Sequence, residues 1–296
     1  MMADIFEIIT INKGDSLYPK LLAQIPDAPD QIFVMGNPHV LDSLALAIVG
    51  TRKPTDYGIQ ATAYFSRNLA KNLTIISGLA YGIDTVALTE ALVINGLPPI
   101  AVIGSGLDSE SFYPKANWNL AIKIIKAGGA VISEYPPGTP PLKHHFPARN
   151  RIIAGLSRGV LVIEAGQHSG ALITADLALD YNREVFSLAG SIFVSQAKGV
   201  NQLIKAGASM VTSPRDVLRE LNIEPKQMQL SSGISTKPDS PLESQIINLV
   251  ADKTLSIDDI TKKLQLDSAV VSSTLTLMEV KGMVRSTKTG KFVKSY

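Results

Sequence analysis

The chain predicts an α/β fold: an extended Rossmann-like parallel sheet with helices on both faces, followed by a small C-terminal winged-helix domain. Three observations lead there. Short apolar runs rich in β-branched residues recur through the first two thirds of the sequence, helical stretches separate them, and Gly- or Ser-bearing loops follow the runs.

The runs lie at 46–49, 73–76, 100–103, 130–132, 160–163, 184–188 and 209–211, each short enough to be a strand. Between them, 58–71, 84–95, 117–127, 149–156, 171–181 and 199–206 read as helices bounded by Gly, Pro or Ser. Repeated strand–helix–strand units build a parallel sheet covered on both faces, with the ligand crevice at the carboxyl ends of the strands. Residues 1–40 are read as an N-terminal extension packed on the Rossmann domain, which spans 41–222.

After Leu221 the composition turns to Pro, Ser, Gln and Lys, which marks a flexible linker at 223–241. Residues 242–296 form the winged-helix domain. Its helices are expected at 243–251, 256–264 and 268–281, with Ser256 and Asp267 or Ser268 as caps, and a hairpin over 283–294 places Arg285, Lys288, Lys291 and Lys294 on a wing. The third helix carries Ser268, Ser272, Ser273, Thr274 and Thr276 and no Arg or Lys before Lys281, a poor set for reading bases. Contact with a protein or weakly with phosphate is as well supported as duplex DNA binding.

With 296 residues, 45% of them hydrophobic and 18% charged, the chain can bury a sizeable core. A formal net charge of +2 is too small to announce a nucleic-acid partner, so any basic surface must be local. The absence of cysteine excludes disulfides, Cys-based zinc sites, iron–sulfur clusters and thiol catalysis. No basic leader or spanning apolar run is present, which gives the expectation of a cytoplasmic protein with no membrane contact.

The local basic surface is found between Tyr135 and Ile163, where Lys143, Arg149, Arg151 and Arg158 occur with no Asp or Glu and with Phe146 among them. The run of Pro residues before Lys143 leads into a helix whose first residues are basic. Helix entrances attract anions, guanidinium groups bind phosphate in bidentate fashion, and an aromatic ring can stack a base.

Five loops at strand ends join this cluster. They carry Gly50, Thr51, Arg52 and Lys53; Ser77, Gly78, Gly82 and Asp84; Gly104 and Gly106; Ser133 and Glu134; and Glu164, Gly166, Ser169 and Gly170. Glycines allow close approach of the backbone to a ligand, and hydroxyls and amides donate to phosphate oxygens. Asp84 reads as the cap of the helix that follows it, and Thr174 and Asp176 as helix residues facing solvent. There is no P-loop signature, and His39, His144, His145 and His168 have no metal-site spacing. No metal and no cofactor is expected. Glu134 and Glu164 could form a carboxylate pair or neutralise Arg149 and Arg151. The first option keeps a nucleotide-cleaving N-glycoside hydrolase in play beside a dinucleotide-binding enzyme.

These residues also carry a resemblance. Tyr18-Pro19, Val49-Gly50-Thr51-Arg52, Ser77-Gly78-Leu79-Ala80-Tyr81-Gly82-Ile83-Asp84, Gly106-Leu107-Asp108, Tyr113-Pro114, Ser133-Glu134-Tyr135-Pro136, Phe146-Pro147-Ala148-Arg149-Asn150-Arg151 and Glu164-Ala165 with Ser169-Gly170-Ala171-Leu172-Ile173-Thr174 occur in the order found in the DprA (Smf) family of DNA-processing proteins. The resemblance covers roughly residues 18–208, and the C-terminal winged helix is similar to one that many members carry.

It implies a non-enzymatic, dimeric protein that binds single-stranded DNA without sequence preference. Such a protein protects incoming strands and promotes loading of the recombinase RecA in natural transformation and recombination. Carried over by motif, Arg52, Lys115, Lys143 and Phe146 would bind the strand. Lys53, Ser169 and Gly170 join them, and Arg149, Asn150 and Arg151 either contact DNA or shape the pocket with Gly50, Ser77, Gly78, Gly82, Asp84, Gly104, Gly106, Glu134 and Glu164. Dimer contacts are expected around 201–208. The chain departs from the family at Leu88, where many members have His, and at Ala189-Gly190, where many have Pro-Gly. The small helical domain that opens most members is expected to be missing.

Overall fold

The computed structural model describes residues 6–94, 96–224, 238, 240–251, 253–280, 282–287 and 290–294. Most of the expected linker (225–237 and 239) and the expected wing residue Lys288 lie outside the described residues. The chain divides into two compact units, Met1–Lys226 and Gln227–Tyr296.

The first unit runs β1 (Ile8–Asn12), β2 (Gln31–Gly36), β3 (Ala45–Val49), α1 (Asp56–Leu69), β4 (Thr74–Ser77), α2 (Ile83–Val93), β5 (Ile100–Ile103), α3 (Trp118–Lys126), β6 (Ala130–Ser133), α4 (His145–Gly155), β7 (Gly159–Val162), α5 (Gly170–Asp180), β8 (Glu184–Ser187), α6 (Lys198–Lys205), β9 (Ser209–Met210) and α7 (Pro214–Glu220). The strands form one sheet in the order β1-β2-β6-β5-β4-β3-β7-β8-β9. From β6 to β9 all neighbours are parallel. The expected sheet is therefore present, with an addition the periodicity did not predict: β2 pairs antiparallel with β6, and β1 antiparallel with β2. The N-terminal extension thus contributes two strands to the same sheet.

Burial on both faces explains why the parallel strands read as unbroken apolar runs. In β3 all five residues are buried. Ala45, Ala47 and Val49 join the cluster that includes Ile152 and Ile153 of α4 and Ala171 and Ala175 of α5, while Leu46 and Ile48 join Phe65 and Leu69 of α1 on the opposite face. Helices α1, α2, α3 and α7 therefore cover one face and α4, α5 and α6 the other. Thr174 is buried in α5, contrary to the solvent-facing expectation, because its position repeats the inward face of Ala171 and Ala175; Asp176 does face solvent. Leu88 is fully buried beside Leu79 and Leu107, so apolar packing occupies the position where a polar residue was weighed.

The second unit holds α8 (Pro241–Val250), α9 (Ile257–Leu264), α10 (Ser268–Val280) and the hairpin β10 (Val284–Ser286) with β11 (Phe292–Lys294). The Ser256 hydroxyl accepts from the Asp259 amide at 3.2 Å and Asp267 from the Ala269 amide at 2.7 Å, as the caps required. Ile246, Ile260, Val271, Leu275 and Met278 close a core of its own. Three helices and a hairpin make the winged helix.

Candidate functional site

Strands β3 and β7 are neighbours, yet the helices that follow them cross opposite faces of the sheet. Diverging connections leave a crevice beyond the carboxyl ends of such a pair. A hollow of about 680 Å³ opens there. The loop after β3 supplies Gly50 and Arg52, the start of α4 supplies Phe146, Arg149 and Asn150, and the start of α5 supplies Ser169 and Gly170. Lys143, Asp84, Tyr113 and Thr174 complete much of the wall. Residues far apart in sequence therefore meet here.

The floor is built around Arg149, only 5% exposed. Its guanidinium donates to the Gly78 carbonyl at 2.6 Å, to the Val102 carbonyl, and to Asn150 Oδ1 at 3.3 Å. A buried cation needs both such acceptors and a counter-charge. Asp84 supplies the charge. Its carboxylate accepts from the amides of Gly78 at 3.1 Å and Ala80 at 3.4 Å, so it ties down the loop behind it instead of capping α2, whose N-cap position is Gly82. Burial pushes the Asp84 carboxyl up to about 6 against the pull of Arg149, and the same burial lowers Arg149 to about 10 against the pull of Asp84.

The rim is different. Arg52 and Lys143 are exposed, and the Arg52 guanidinium carbon lies 5.7 Å from the centre of the Phe146 ring. Phe146 in turn sits 5.5 Å from the Tyr113 ring, centre to centre. Buried His145 stacks on Tyr135 at 3.8 Å, which anchors the start of α4. That helix begins at His145, four residues earlier than expected, so Phe146 stands in its first turn and Arg149 lies one turn in.

Glycine at 82 is required by the backbone. Its φ is +81°, and a β-carbon there would stand 2.8 Å from Arg52 Cα. Gly78 is pressed against Arg149 and Asp84 in the same way, each 2.6 Å from the place a β-carbon would occupy. The hydroxyls of Ser77 and Ser133 donate to the carbonyls of Ile48 and Ser105, and the Gly106 amide donates to Thr139 at 2.9 Å, so these loops are tied to one another. Gly104 lies under His145 and Phe146.

Other expected residues fall elsewhere. Arg158 sits at the amino end of β7, the opposite end of the strands from the crevice, and leaves the basic cluster. Arg151 turns away into an ion pair with Glu134 at 2.8 Å, and Asp27 approaches it at 3.5 Å. Glu164 accepts from the Thr55 amide at 2.9 Å and from the Thr55 hydroxyl, and neutralises neither arginine. Glu134 and Glu164 follow strands four places apart in the sheet, about 19 Å by the usual strand spacing, too far for a glycosidic carboxylate pair. Lys115 is exposed next to Pro114 but does not line the hollow, and Lys53 points to a second one described below. The sequence reading missed Asp27 and Thr55, partners too distant in the chain for any local pattern. It also missed Asn117, whose side-chain amide donates to the Leu79 carbonyl at 2.8 Å and holds that residue at a φ of +54°.

An extended, doubly wound α/β unit with a cationic crevice at its switch point, joined to a winged helix, defines the class. Residues 8–222 match the family described as DNA recombination-mediator protein A, and 234–288 match the DprA winged helix domain. The chain belongs to the DNA recombination-mediator protein A family. It is 43% identical to Protein Smf of Escherichia coli, over 79% of this chain and 60% of that one. To DNA processing protein DprA of Streptococcus pneumoniae it is 48% identical, over 70% and 72%. The X-ray structure of the latter superposes with a TM-score of 0.67, covering 73% of this chain and 75% of that one. A structure of DNA processing protein A from Helicobacter pylori, described for its single-stranded DNA binding mode, superposes with a TM-score of 0.65 at 32% identity over 74% of this chain and 97% of that one. The chain thus spans 60% of the length of its E. coli relative.

Proposed function

We propose that this chain binds single-stranded DNA without sequence preference and acts as a recombination mediator that passes the strand to the recombinase RecA. The observation that carries the reading is the rim of the crevice. Arg52, against the Phe146 ring, and Lys143 present solvent-facing charge in the wall of the hollow, while Asp84, a carboxylate lining the same hollow, is committed to Arg149. Cations of this kind neutralise successive phosphates and an aromatic stacks a base, which yields affinity without base readout. Arg149 and Asn150 shape the pocket, while Arg151, paired with Glu134, stands outside its lining. Ser169 and Gly170 offer donors at the start of α5, and Lys115 touches the strand only at the margin.

Family membership and the H. pylori structure support this reading. Anisotropy titrations with single-stranded and duplex oligonucleotides of mixed and homopolymeric sequence test it. Binding is expected to favour single strands, to vary little with sequence and to weaken steeply with salt. Equal affinity for duplex would overturn it. Chemistry has no part in the proposal: incubation with nucleotides should release no base. The mediator step predicts faster RecA filament growth on strands already bound by this protein. Self-association through 201–208, an expectation that the family resemblance supports, predicts a dimer in light scattering. A strand-handling protein of this kind works in the cytoplasm.

A further inference from the structure

On the other side of Arg52 a second hollow, of about 550 Å³, opens over the ends of β3, β7 and β8. Arg52, Lys53, Gln167, Ser195, Gln196 and Lys198 line most of it, and among the described residues no Asp or Glu does. Lys53 and Lys198 are both exposed. Three residues before Gln196 stands Phe193, 91% exposed, beside Ile192 at 75%; these are the most exposed large apolar side chains among the described residues. The turn that presents them is closed by the Ser191 hydroxyl, which accepts from the Phe193 amide at 3.3 Å, and by the Ser191 carbonyl, which accepts from Val194 at 3.1 Å.

The residue types of the first rim recur: two solvent-facing cations and neutral donors line the hollow, and an aromatic side chain stands two residues before the lining residue Ser195. Arg52 belongs to both hollows, so they are continuous through one side chain. A hydrophobic ring standing in water costs free energy that a stacked base would recover. We infer that this hollow is a second station for the same strand, where Lys53 and Lys198 take phosphates and Phe193 takes a base after the strand has passed over Arg52. The inference rests on the reading of the first crevice as a single-strand site.

The test uses the full chain and fluorescent oligothymidylates of about 6 and about 20 nucleotides, a range set by single-strand site sizes. The short strand fills one station and the long one both. The double variant Lys53→Ala/Lys198→Ala is expected to weaken the long strand about tenfold and to lower its log–log salt slope by about 1.4, with the short strand within twofold of the parent. Phe193→Ala should weaken the long strand severalfold, and Phe193→Trp should restore it. Equal losses on both lengths, or no loss on the long strand, overturn the second station. So does a Phe193→Ala variant that binds both strands normally but shifts from dimer to monomer in light scattering, because the ring then belongs to an interface between copies. Lys143→Ala provides the separate control: it should weaken both strands, and if it weakens neither, the first crevice fails and takes this inference with it.

Discussion

Arg52 and Arg149 line the same hollow and carry the same guanidinium, yet they do opposite work. Arg149 is enclosed by the carbonyls of Gly78 and Val102, Asn150 and the charge of Asp84. Arg52 stands in solvent against one face of Phe146. The number of acceptors already in place separates them: a guanidinium whose hydrogens are taken by the backbone sets the shape of a floor, and one with free hydrogens can meet a phosphate. A basic cluster in a sequence is therefore a mixture, and only the second kind counts toward a binding surface.

The sharpest way to break this distinction is to remove the floor. Arg149→Met leaves Asp84 buried without its counter-charge and several carbonyls without a donor, and should cost about 3–5 kcal/mol. A fall in the thermal midpoint of about 10 °C is expected for a unit of this size. A midpoint within two or three degrees of the parent would show that Arg149 is not structural.

Arg52→Ala or Lys143→Ala should do the reverse. The midpoint stays put while affinity for single strands drops about tenfold and the salt slope falls by about 0.7 for each cation removed. Arg52→Lys should retain part of the binding, whereas Arg149→Lys should unfold nearly as readily as Arg149→Met, because an ammonium cannot span those acceptors.

Smaller effects belong to the outer supports. Glu134→Gln frees the half-buried Arg151 from its ion pair and should cost about 1 kcal/mol in urea denaturation, with strand affinity unchanged or slightly raised.

The pH dependence of stability distinguishes two carboxyls with opposite sign. Asp84, raised from 3.8 to about 6 chiefly by burial, contributes stability that is full below about 3.8 and lost as pH rises through 6. In Asp108, burial pushes the pKa up, but the Ser111 hydroxyl and the amides of Gly138 and Ser111 outweigh it and hold the group near 2, so its contribution is present above about 3.8 and lost as pH falls through 2. Asp84→Asn should flatten the upper limb of a midpoint–pH curve, and Asp108→Asn the lower. Identical curves for both would remove the assigned causes.

Much of this was legible beforehand. The seven parallel strands follow from unbroken apolar runs such as Ala45–Val49, which only a sheet buried on both faces demands. The motif loops placed Arg52, Lys143 and Phe146 together because strand ends converge by topology. What escaped depends on the third dimension. Strands β1 and β2 do carry apolar residues, Ile8, Ile9 and Ile11 in the first and Ile32, Phe33, Val34 and Met35 in the second, but no α-helix separates them, so they stand outside the strand–helix–strand repeat. Arg158 is nine residues from Arg149 in sequence, yet helix α4 spends that interval running from the carboxyl ends of the strands back toward the amino end of β7. Asp84 looked like a cap because its partners, Gly78 and Arg149, become visible only when the loop folds back.

Gly82 touches no ligand in any of these proposals, yet its α-hydrogen is what lets the chain at Thr51 and Arg52 lie flush against the turn. Any larger residue there would push aside the one side chain that two hollows share. A genetic screen for lost DNA retention would accordingly score position 82 as severely as position 52, and a map drawn from that screen would mark as a contact a residue whose whole contribution is to occupy no space.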